Sequence, residues 1–378
     1  MARHWTIHGH FPSQPTTGIQ RDLQDSSERG ADEGQAKIIN IGIIGYGYWG
    51  PNLLRNFVEL PHARVRIVAD LDSKKRELVE RRYPGVQTTG DVQAVFQDPE
   101  IDAIAVATPV NSHFELGMSA LKAGKHLWLE KPMTETSLQA RMLVNEADKR
   151  GLTLIVDHTF IYTGAVRKMR EIVAAGDLGQ IYYYDATRVN LGLFQKDVNV
   201  ISDLAVHDFA IIDRLFEEHP NAVSASGINH FPGTPENLAY ISLFYDSGMI
   251  AHINVSWLAP VKVRNILVGG SNKMITYDDL EPSEKVKVYD KGVSFTDDPA
   301  KIHEMRVGYR TGDMWAPKLD STEALRIAGQ EWIDCIIEKK VPTADGQLGL
   351  RVVEIIEAAT SSMRGRGETI HLRRKGAA

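Results

Sequence analysis

The feature that most constrains the fold is an alternation of short apolar runs and amphipathic segments between residues 37 and 157. The apolar runs are nearly continuous, as in strands that are buried on both faces. They read KIINIGII, ARVRIVAD, DAIAVATP, HLWLE and LTLIVDH. The segments between them have helical spacing. Strands that alternate with helices predict a parallel, doubly wound sheet with right-handed crossovers.

From residue 158 onwards the pattern changes to longer strands with hairpin signals. The predicted strands are QIYYYDATRVN, AYISLFY, MIAHINVSW, RNILVGG, MITYDD and KVKVYD, with turns at DSG and GGSN. Helices are predicted for GAVRKMREIVAAG and ISDLAVHDFAIIDRLF, and later for residues of about 321–340 and 347–363, whereas residues 292–320 are predicted to be loop. This clustering of strands predicts an α+β domain with a large open, mainly antiparallel sheet and helices on one face.

A chain of 378 residues is too long for one small core and suits two domains. We predict a flexible N-terminal extension (residues 1–36), an α/β domain (37–157) and an α+β domain (158–378) whose C-terminal helices pack back on the α/β domain. The extension is polar and has too little apolar surface to offset its ordering entropy. His8 and His10 within the extension are interpreted as incidental, and no metal site is predicted.

Composition narrows the class of protein. A net charge of −6 and a pI near 6.1 give no support to a nucleic-acid partner, which a basic stripe would indicate. No apolar stretch approaches the roughly 20 residues of a membrane-spanning helix, so no membrane partner is expected. The single cysteine, Cys335, excludes an intramolecular disulfide and a thiolate zinc site, and it lies in a helical pattern as a small apolar residue. These features together predict a cytoplasmic protein.

The stretch GYGYWGPN, residues 45–52, follows the first apolar run directly. A G-x-G-x-x-G motif is weak evidence alone, but here a buried strand precedes it and a helix starts within it. Gly45 allows a tight turn, Gly47 lets the backbone approach a pyrophosphate, and Gly50 packs the helix against the strand. The N–H groups at the helix start, backed by the helix dipole, face the diphosphate. The motif therefore predicts a dinucleotide cradle, to which Tyr48 and Trp49 also belong.

An acidic residue, Asp70, ends the second predicted strand about 25 residues after the motif. Its carboxylate is suited to accept hydrogen bonds from the adenosine ribose and to repel a 2′-phosphate. NAD is therefore predicted as the cofactor in preference to NADP. Lys74 and Arg76 lie close enough in sequence to soften that preference.

Other polar residues follow the later strands at the edge where a cofactor is expected. Thr108 and Pro109 end the DAIAVATP run, and Glu130 and Lys131 end the next one, in LEKP. In open parallel sheets, ligands bind outside the carboxyl ends of the strands. We therefore predict that these four residues lie beside the cofactor, although a lysine after a strand is also compatible with a solvated surface position.

Together, GYGYWG, ATPVNSHFE and LEKPMTET resemble the Gfo/Idh/MocA family of oxidoreductases, from about Lys37 to near the C-terminus. The EKP tripeptide is the most specific of these pieces. The resemblance implies a Rossmann domain followed by an α+β domain with a large open sheet, in agreement with the order of elements. It also implies an NAD(P)-dependent enzyme that moves a hydride between nicotinamide and a carbinol or keto carbon of a sugar, sugar derivative or inositol.

The resemblance also implies roles for individual residues. Lys131 would reach the reacting oxygen, and Glu130 and His113 would line the nicotinamide side. The family's Asp-x-x-x-His pair corresponds to Asp203 and His207 in DLAVH, which lie on one helix face. A histidine is able to take the alcohol proton while a lysine cation stabilises the alkoxide, with Asp203 orienting the histidine or binding a hydroxyl. The alternative for His207 is a buried, hydrogen-bonded histidine.

Two segments depart from the family pattern. The glycines common before the Asp-x-x-x-His segment are replaced by DVNVIS, and the usual Arg-Phe pair after the sixth strand is replaced by HTFIYTG. Tyr162, in the second segment, is a candidate substrate residue and proton relay. An aromatic packing residue at the domain junction is the alternative interpretation.

The stretches GYGYWGPNLLRNF and NVISDLAVHD most resemble the branch of the family that acts on nucleotide sugars, including enzymes similar to UDP-N-acetylglucosamine 3-dehydrogenase. A substrate diphosphate needs cationic contacts, for which Arg167, Lys168 and Arg188 are candidates. Each is also compatible with a solvated surface charge. An inositol or free-sugar dehydrogenase is the alternative function.

A non-catalytic, NAD(P)-binding regulator is the alternative of another class, and the presence of Lys131 and His207 disfavours it. An open sheet with one uncovered face would expose an apolar patch, and such patches usually mark association. We therefore predict a homo-oligomer, a dimer or tetramer, that buries this face, as is common in the family.

Overall fold

The computed structural model describes residues 37–192, 194–195, 198–295 and 307–372, and only the backbone of residues 293–295 and 307–309. The predicted extension, residues 1–36, lies outside the described residues, as do His8 and His10.

The first sheet has six strands, all parallel, in the order β3-β2-β1-β4-β5-β6. This order confirms the predicted doubly wound sheet. The strands are β1 Ile39–Ile44, β2 Ala63–Ala69, β3 Gln87–Thr89, β4 Ala103–Val106, β5 His126–Leu129 and β6 Leu154–Val156. The short polar β3 was not predicted, because QTT has no apolar pattern and owes its conformation to pairing with β2.

Five helices connect these strands. They are α1 Gly50–Val58, α2 Ser73–Arg82, α3 Val92–Gln97, α4 His113–Lys122 and α5 Ser137–Arg150. Their ends follow local sequence rules. Pro51 lies in the first turn of α1, where its missing N–H is harmless, and α5 begins with a capping box of Thr136 and Gln139. Gly151 ends α5 in the left-handed conformation, with φ of 63°.

The second sheet has nine described strands in the order β14-β13-β12-β11-β7-β10-β9-β8-β15. Only β7 and β10 pair in parallel, so the predicted large, mainly antiparallel sheet is confirmed. The strands are β7 Ile181–Leu191, β8 Ala222–Ile228, β9 Leu238–Phe244, β10 Ile250–Ser256, β11 Leu258–Gly270, β12 Met274–Asp278, β13 Val286–Phe295, β14 Val307–Trp315 and β15 Ile370–His371.

The prediction of loop for residues 292–320 is wrong in part, because β13 continues to Phe295 and β14 runs over Val307–Trp315. The β14 sequence, VGYRTGDMW, contains two glycines and three polar or charged residues in its centre, so it lacks the alternation of a strand. Its conformation comes from antiparallel pairing with β13, a contact that local sequence does not show.

Helices cover one face of the nine-stranded sheet. They are α6 Gly164–Ala174, α7 Val206–Leu215 and α9 Gly346–Arg364, and a π-helical turn at Ile201–Ala205 leads into α7. The remaining helix, α8 Ala324–Glu338, lies against α1. Along β7 the side chains of Tyr184 and Ala186 face these helices and are fully buried, whereas Tyr183 and Asp185, on the other face, are partly exposed. No helix in the described ranges is both long and apolar enough to span a bilayer.

The two last helices pack on the first half of the chain. Trp332 of α8 contacts Trp128 and Phe57, with ring centroids 5.5 and 5.7 Å away. On α9, a Cβ atom at Gly349 would lie 2.6 Å from Cγ2 of Val156, so a glycine is needed for this close approach. The core beneath the six-stranded sheet therefore includes residues from both ends of the sequence.

Candidate active site

The glycine loop after β1 has the geometry that the motif predicts. Gly45 has φ of +97°, and a Cβ atom there would lie 2.6 Å from the carbonyl oxygen of Ala107. A Cβ atom at Gly50 would lie 2.4 Å from the carbonyl oxygen of Gly45. Nothing lies within 4 Å of a Cβ built at Gly47, which borders the cleft. Two glycines are thus required by packing, and the third leaves open space beside a helix N-terminus, as a bound diphosphate needs.

Asp70, at the end of β2, braces this loop. Its carboxylate accepts hydrogen bonds from the backbone N–H of Tyr46 at 2.7 Å and of Asp72 at 2.9 Å. Arg76 donates to the carbonyl oxygen of Asp70 at 2.7 Å. Lys75 borders the cleft, with its Nζ 3.7 Å from the Asp70 carboxylate. Lys75, which the sequence analysis did not single out, is therefore a cation that lies beside Asp70 and lines the cleft.

A cleft of about 820 Å³ opens at the carboxyl ends of the parallel strands and is closed on its other side by β7, β11 and the π-helical turn. It includes ten predicted site residues: Gly47, Tyr48, Trp49, Thr108, Pro109, Glu130, Lys131, Arg188, Asp203 and His207. Tyr48 is 90% exposed at the rim. The structure thus brings together residues that lie up to 160 positions apart in the sequence, as their positions at strand and helix ends predict.

Lys131 and Asp203 are in contact within the cleft. The Nζ of Lys131 donates to the carbonyl oxygen of Asp203 at 3.1 Å and lies 3.4 Å from its Oδ1. The other carboxylate oxygen of Asp203 accepts a hydrogen bond from Nε1 of the buried Trp257 at 3.0 Å. Asp203 is therefore fixed from two sides. Trp257, just after β10, was missed by the sequence analysis.

His207 lies in the first turn of α7, next to the ring of Phe160 at 4.8 Å between centroids. Its Nδ1 has no hydrogen-bond partner among the described residues. Burial lowers the pKa of His207 well below its ordinary value, and the nearby charges of Lys131 and Arg188 lower it further. The imidazole is therefore neutral at neutral pH, and the same burial and neighbouring charges oppose its taking up a further proton.

Glu130 and Asp157 lie together at the floor of the cleft. Burial raises the pKa of Glu130 well above its ordinary value, and the neighbouring Asp157 carboxylate raises it further. Asp157 accepts hydrogen bonds from Nε1 of Trp49 at 2.8 Å and from the hydroxyl of Thr159 at 2.6 Å. The tryptophan of the glycine motif is thus tied to the end of β6.

Seven predicted residues do not line the cleft: Gly45, Gly50 and Asp70, which shape the glycine loop, and His113, Tyr162, Arg167 and Lys168. His113 is buried and bridges the carbonyl oxygens of Pro132 and Thr108 at 3.0 and 2.8 Å, so it holds two loops in place. The buried Tyr162 hydroxyl bonds to Glu331 of α8. Arg167 pairs with Asp320 and Lys168 pairs with Glu171 on the protein exterior.

A doubly wound sheet whose glycine loop opens on a cleft with acid–base groups is the arrangement of a dinucleotide-dependent oxidoreductase. Comparison with protein families places the chain within this class. Residues 39–158 match a model described as an oxidoreductase family with an NAD-binding Rossmann fold, and residues 166–276 match the GFO/IDH/MocA C-terminal domain. The chain belongs to the Gfo/Idh/MocA family and binds NAD through its Rossmann half. These two matches confirm the resemblance seen in the sequence.

Individual relatives differ in how much they share with this chain. The uncharacterized oxidoreductase YdgJ of Escherichia coli is 32% identical over 149 residues, which are 39% of this chain and 42% of YdgJ. The chain thus spans less than half the length of that relative. The D-apiose dehydrogenase of Paraburkholderia graminis is 22% identical, over 88% of this chain and 89% of its own.

Among solved structures, the UDP-N-acetylglucosamine 3-dehydrogenase GnnA of Acidithiobacillus ferrooxidans has a TM-score of 0.74 to this chain. The two share 21% identity, and the match covers 87% of this chain and 98% of GnnA. At this level of identity, the likeness establishes the fold.

Proposed function

We propose that the protein is an NAD-dependent dehydrogenase that transfers a hydride between nicotinamide and a carbinol or keto carbon of a sugar, in the first place a nucleotide sugar. The observation that carries this proposal is the meeting of Lys131, Asp203 and His207 in one cleft beside the glycine loop. Residues 37–157 would bind the cofactor through the glycine loop and Asp70, and residues 158–378 would supply the substrate side.

Bound NAD⁺ supplies the hydride acceptor. The Lys131 cation stabilises the negative charge that develops on the substrate oxygen as its proton leaves. His207 is neutral at neutral pH and is thus in the protonation state that a base for alcohol oxidation requires, although burial and the cations around it lower its basicity. Asp203 holds the Lys131 ammonium in place and is itself held by Trp257. Burial and the neighbouring Asp157 raise the pKa of Glu130, which favours its neutral form beside Lys131.

Two observations support a nucleotide sugar: the resemblance of GYGYWGPNLLRNF and NVISDLAVHD to that branch of the family, and the overall likeness to GnnA. The similarity to D-apiose dehydrogenase, which extends over most of both chains, supports a free sugar as the second candidate, with inositols beside it. Arg167, Lys168 and Arg188 were the candidates for binding a substrate diphosphate, and among these three only Arg188 lines the cleft.

The test is a panel of UDP-, dTDP- and GDP-sugars, inositols and aldoses, followed by NADH absorbance. Turnover restricted to inositols or aldoses would refute the nucleotide-sugar assignment. Absence of turnover across the panel, together with tight NAD binding, would instead favour a regulator.

Lys131→Met should lower kcat by about 100- to 1,000-fold, because the alkoxide loses its cation, with NAD binding nearly unchanged. Lys340→Met, at an exposed position just after α8, is the matched control.

We also propose a homo-oligomer formed through the uncovered face of the nine-stranded sheet. That face exposes Tyr240 and Leu267, and it also carries polar contacts: the Tyr240 ring stacks on His252, which lies 3.5 Å from Asp185. Such a mixed surface is typical of protein–protein interfaces. A monomer in light scattering would contradict this proposal.

A further inference from the structure

Two arginines lie directly opposite each other in the wall of the cleft. Arg188 of β7 and Arg264 of β11 are register partners in an antiparallel pair, and both line the cleft. Side chains at directly opposed positions are close neighbours on one face of a sheet, and like charges in such positions repel. Two opposed guanidinium groups in a partly buried wall therefore require an explanation.

Three neighbours hold these arginines in place. Arg188 pairs with the buried Asp208, whose Oδ2 lies 2.9 Å from its Nε, and Arg264 pairs with Asp279 at 3.1 Å. Both guanidinium groups pack on the Phe160 ring, with their carbons 4.6 and 5.7 Å from the ring centroid. Cation–π contacts at these distances are favourable. The two guanidinium groups are thus fixed before any ligand arrives.

Each guanidinium nevertheless keeps an unused edge. Arg188 is only 3% exposed, and its Nη1 has no hydrogen-bond acceptor in the described part of the chain. In that same part, Arg264 uses only its Nη1 in a hydrogen bond. A buried, charged donor without an acceptor is unfavourable, so a site that leaves one in a cleft wall is suited to a ligand oxygen.

We propose that Arg188 and Arg264 form an anion subsite that binds a carboxylate or phosphate group of the substrate close to the carbon that is oxidised. Arginine matches both groups geometrically, because its N–H donors form a planar fork. The subsite is close to the reacting centre, since Phe160 contacts His207 as well as both arginines.

This inference rests on the proposed dehydrogenase function and narrows its substrate class. An anionic group beside the reacting carbon is present in a sugar acid or a sugar phosphate, and a folded-back nucleoside diphosphate also supplies one. Neutral inositols and aldoses have none. Anionic sugars should therefore be preferred to their neutral counterparts.

The first test measures binding to the full chain saturated with NAD⁺, by titration calorimetry with D-glucose, D-glucuronate, glucose 6-phosphate and UDP. The anionic probes should bind about 10- to 100-fold more tightly than glucose, as for a charged hydrogen bond, and the strongest of them identifies the source of the anion. Arg264→Gln should remove most of this difference. Arg141→Gln, an arginine paired with Glu354 outside the cleft, should leave it unchanged.

Arg264 is preferred for substitution because it is partly exposed, whereas Arg188 is buried. Arg188→Lys retains the charge and should keep part of the preference. Equal affinity for glucose and all three anions, or full retention of the difference in Arg264→Gln, would overturn the subsite.

The second test measures turnover of the same sugars and separates the two proposals. Turnover of neutral and anionic sugars with equal kcat/KM, unaffected by Arg264→Gln, refutes the subsite and leaves the dehydrogenase function intact. Absence of all turnover, together with an Arg264-dependent preference for anions in binding, refutes the dehydrogenase and retains the subsite.

Discussion

At the scale of single residues, the proposed chemistry depends on the protonation state of the His207 imidazole. Burial lowers the pKa of His207 well below the ordinary value of about 6.5, and the cations around the ring lower it further. His207→Ala should lower kcat by about 100- to 10,000-fold, the usual contribution of a general base, while NADH binding measured by fluorescence stays near wild type. His219→Ala, a half-exposed histidine beside Asp213, is the control. Near-normal kcat in His207→Ala would remove the residue from the mechanism.

Buried histidines also set the response of stability to acid. Burial lowers the pKa of His158 to about 3 and that of His126 to about 4. The unfolded chain takes up these protons near pH 6.5, before the folded chain does, so stability falls as the pH drops from about 6.5 towards those values. Each group contributes at most about 1.4 kcal/mol per pH unit in this window.

Urea unfolding between pH 7 and 4 measures this slope. His158→Gln does not titrate and should show a shallower fall than wild type. His62→Gln, at an exposed turn, should reproduce the wild-type slope. A wild-type stability that is constant from pH 7 to 4.5 would contradict the neutral state of these histidines.

At the scale of elements, two glycines of one loop have different requirements: Gly50 is needed for packing, whereas Gly47 borders the space proposed for the cofactor. Gly47 has open space and Gly50 has none, so the same substitution acts differently at the two positions. Gly47→Ala should keep the wild-type Tm but weaken NAD binding, because its methyl group enters the diphosphate space. Gly50→Ala should destabilise the fold by about 1–3 kcal/mol, as overpacking does. Thermal unfolding and NADH titration of both variants test this, and equal Tm values for the two would contradict it.

Sequence reasoning placed several side chains correctly where their position follows from the end of a strand or from a helix face, while their roles stay predictions. Lys131 and Asp203 were predicted in one cleft because strand ends and helix faces position them. Arg264 was missed because its role comes from its pairing with Arg188 across two strands, and register is not visible in a single strand. Tyr162 was predicted as a substrate candidate, yet its hydroxyl bonds to α8, which lies about 170 residues later in the chain.

At the scale of the whole molecule, the last helices stabilise the nucleotide-binding half. Trp332 of α8 is fully buried against Trp128 and Phe57. Trp332→Ala should lower the free energy of unfolding by about 3–5 kcal/mol, through lost contacts and a cavity. Trp315→Ala removes a tryptophan that is 41% exposed and should cost much less. Equal losses in the two variants, measured by denaturant unfolding, would contradict this packing.

This packing has a consequence for biosynthesis. A ribosome makes about 5–20 residues per second, so the segment between β6 and the end of α9 takes roughly 10–40 seconds to follow. During that interval the nascent nucleotide-binding half lacks Trp332 and Gly349, and it carries apolar surface that only the final helices cover. We therefore expect the nascent chain to bind chaperones during this period. In a chain that terminates before α8, the same apolar surface would stay exposed.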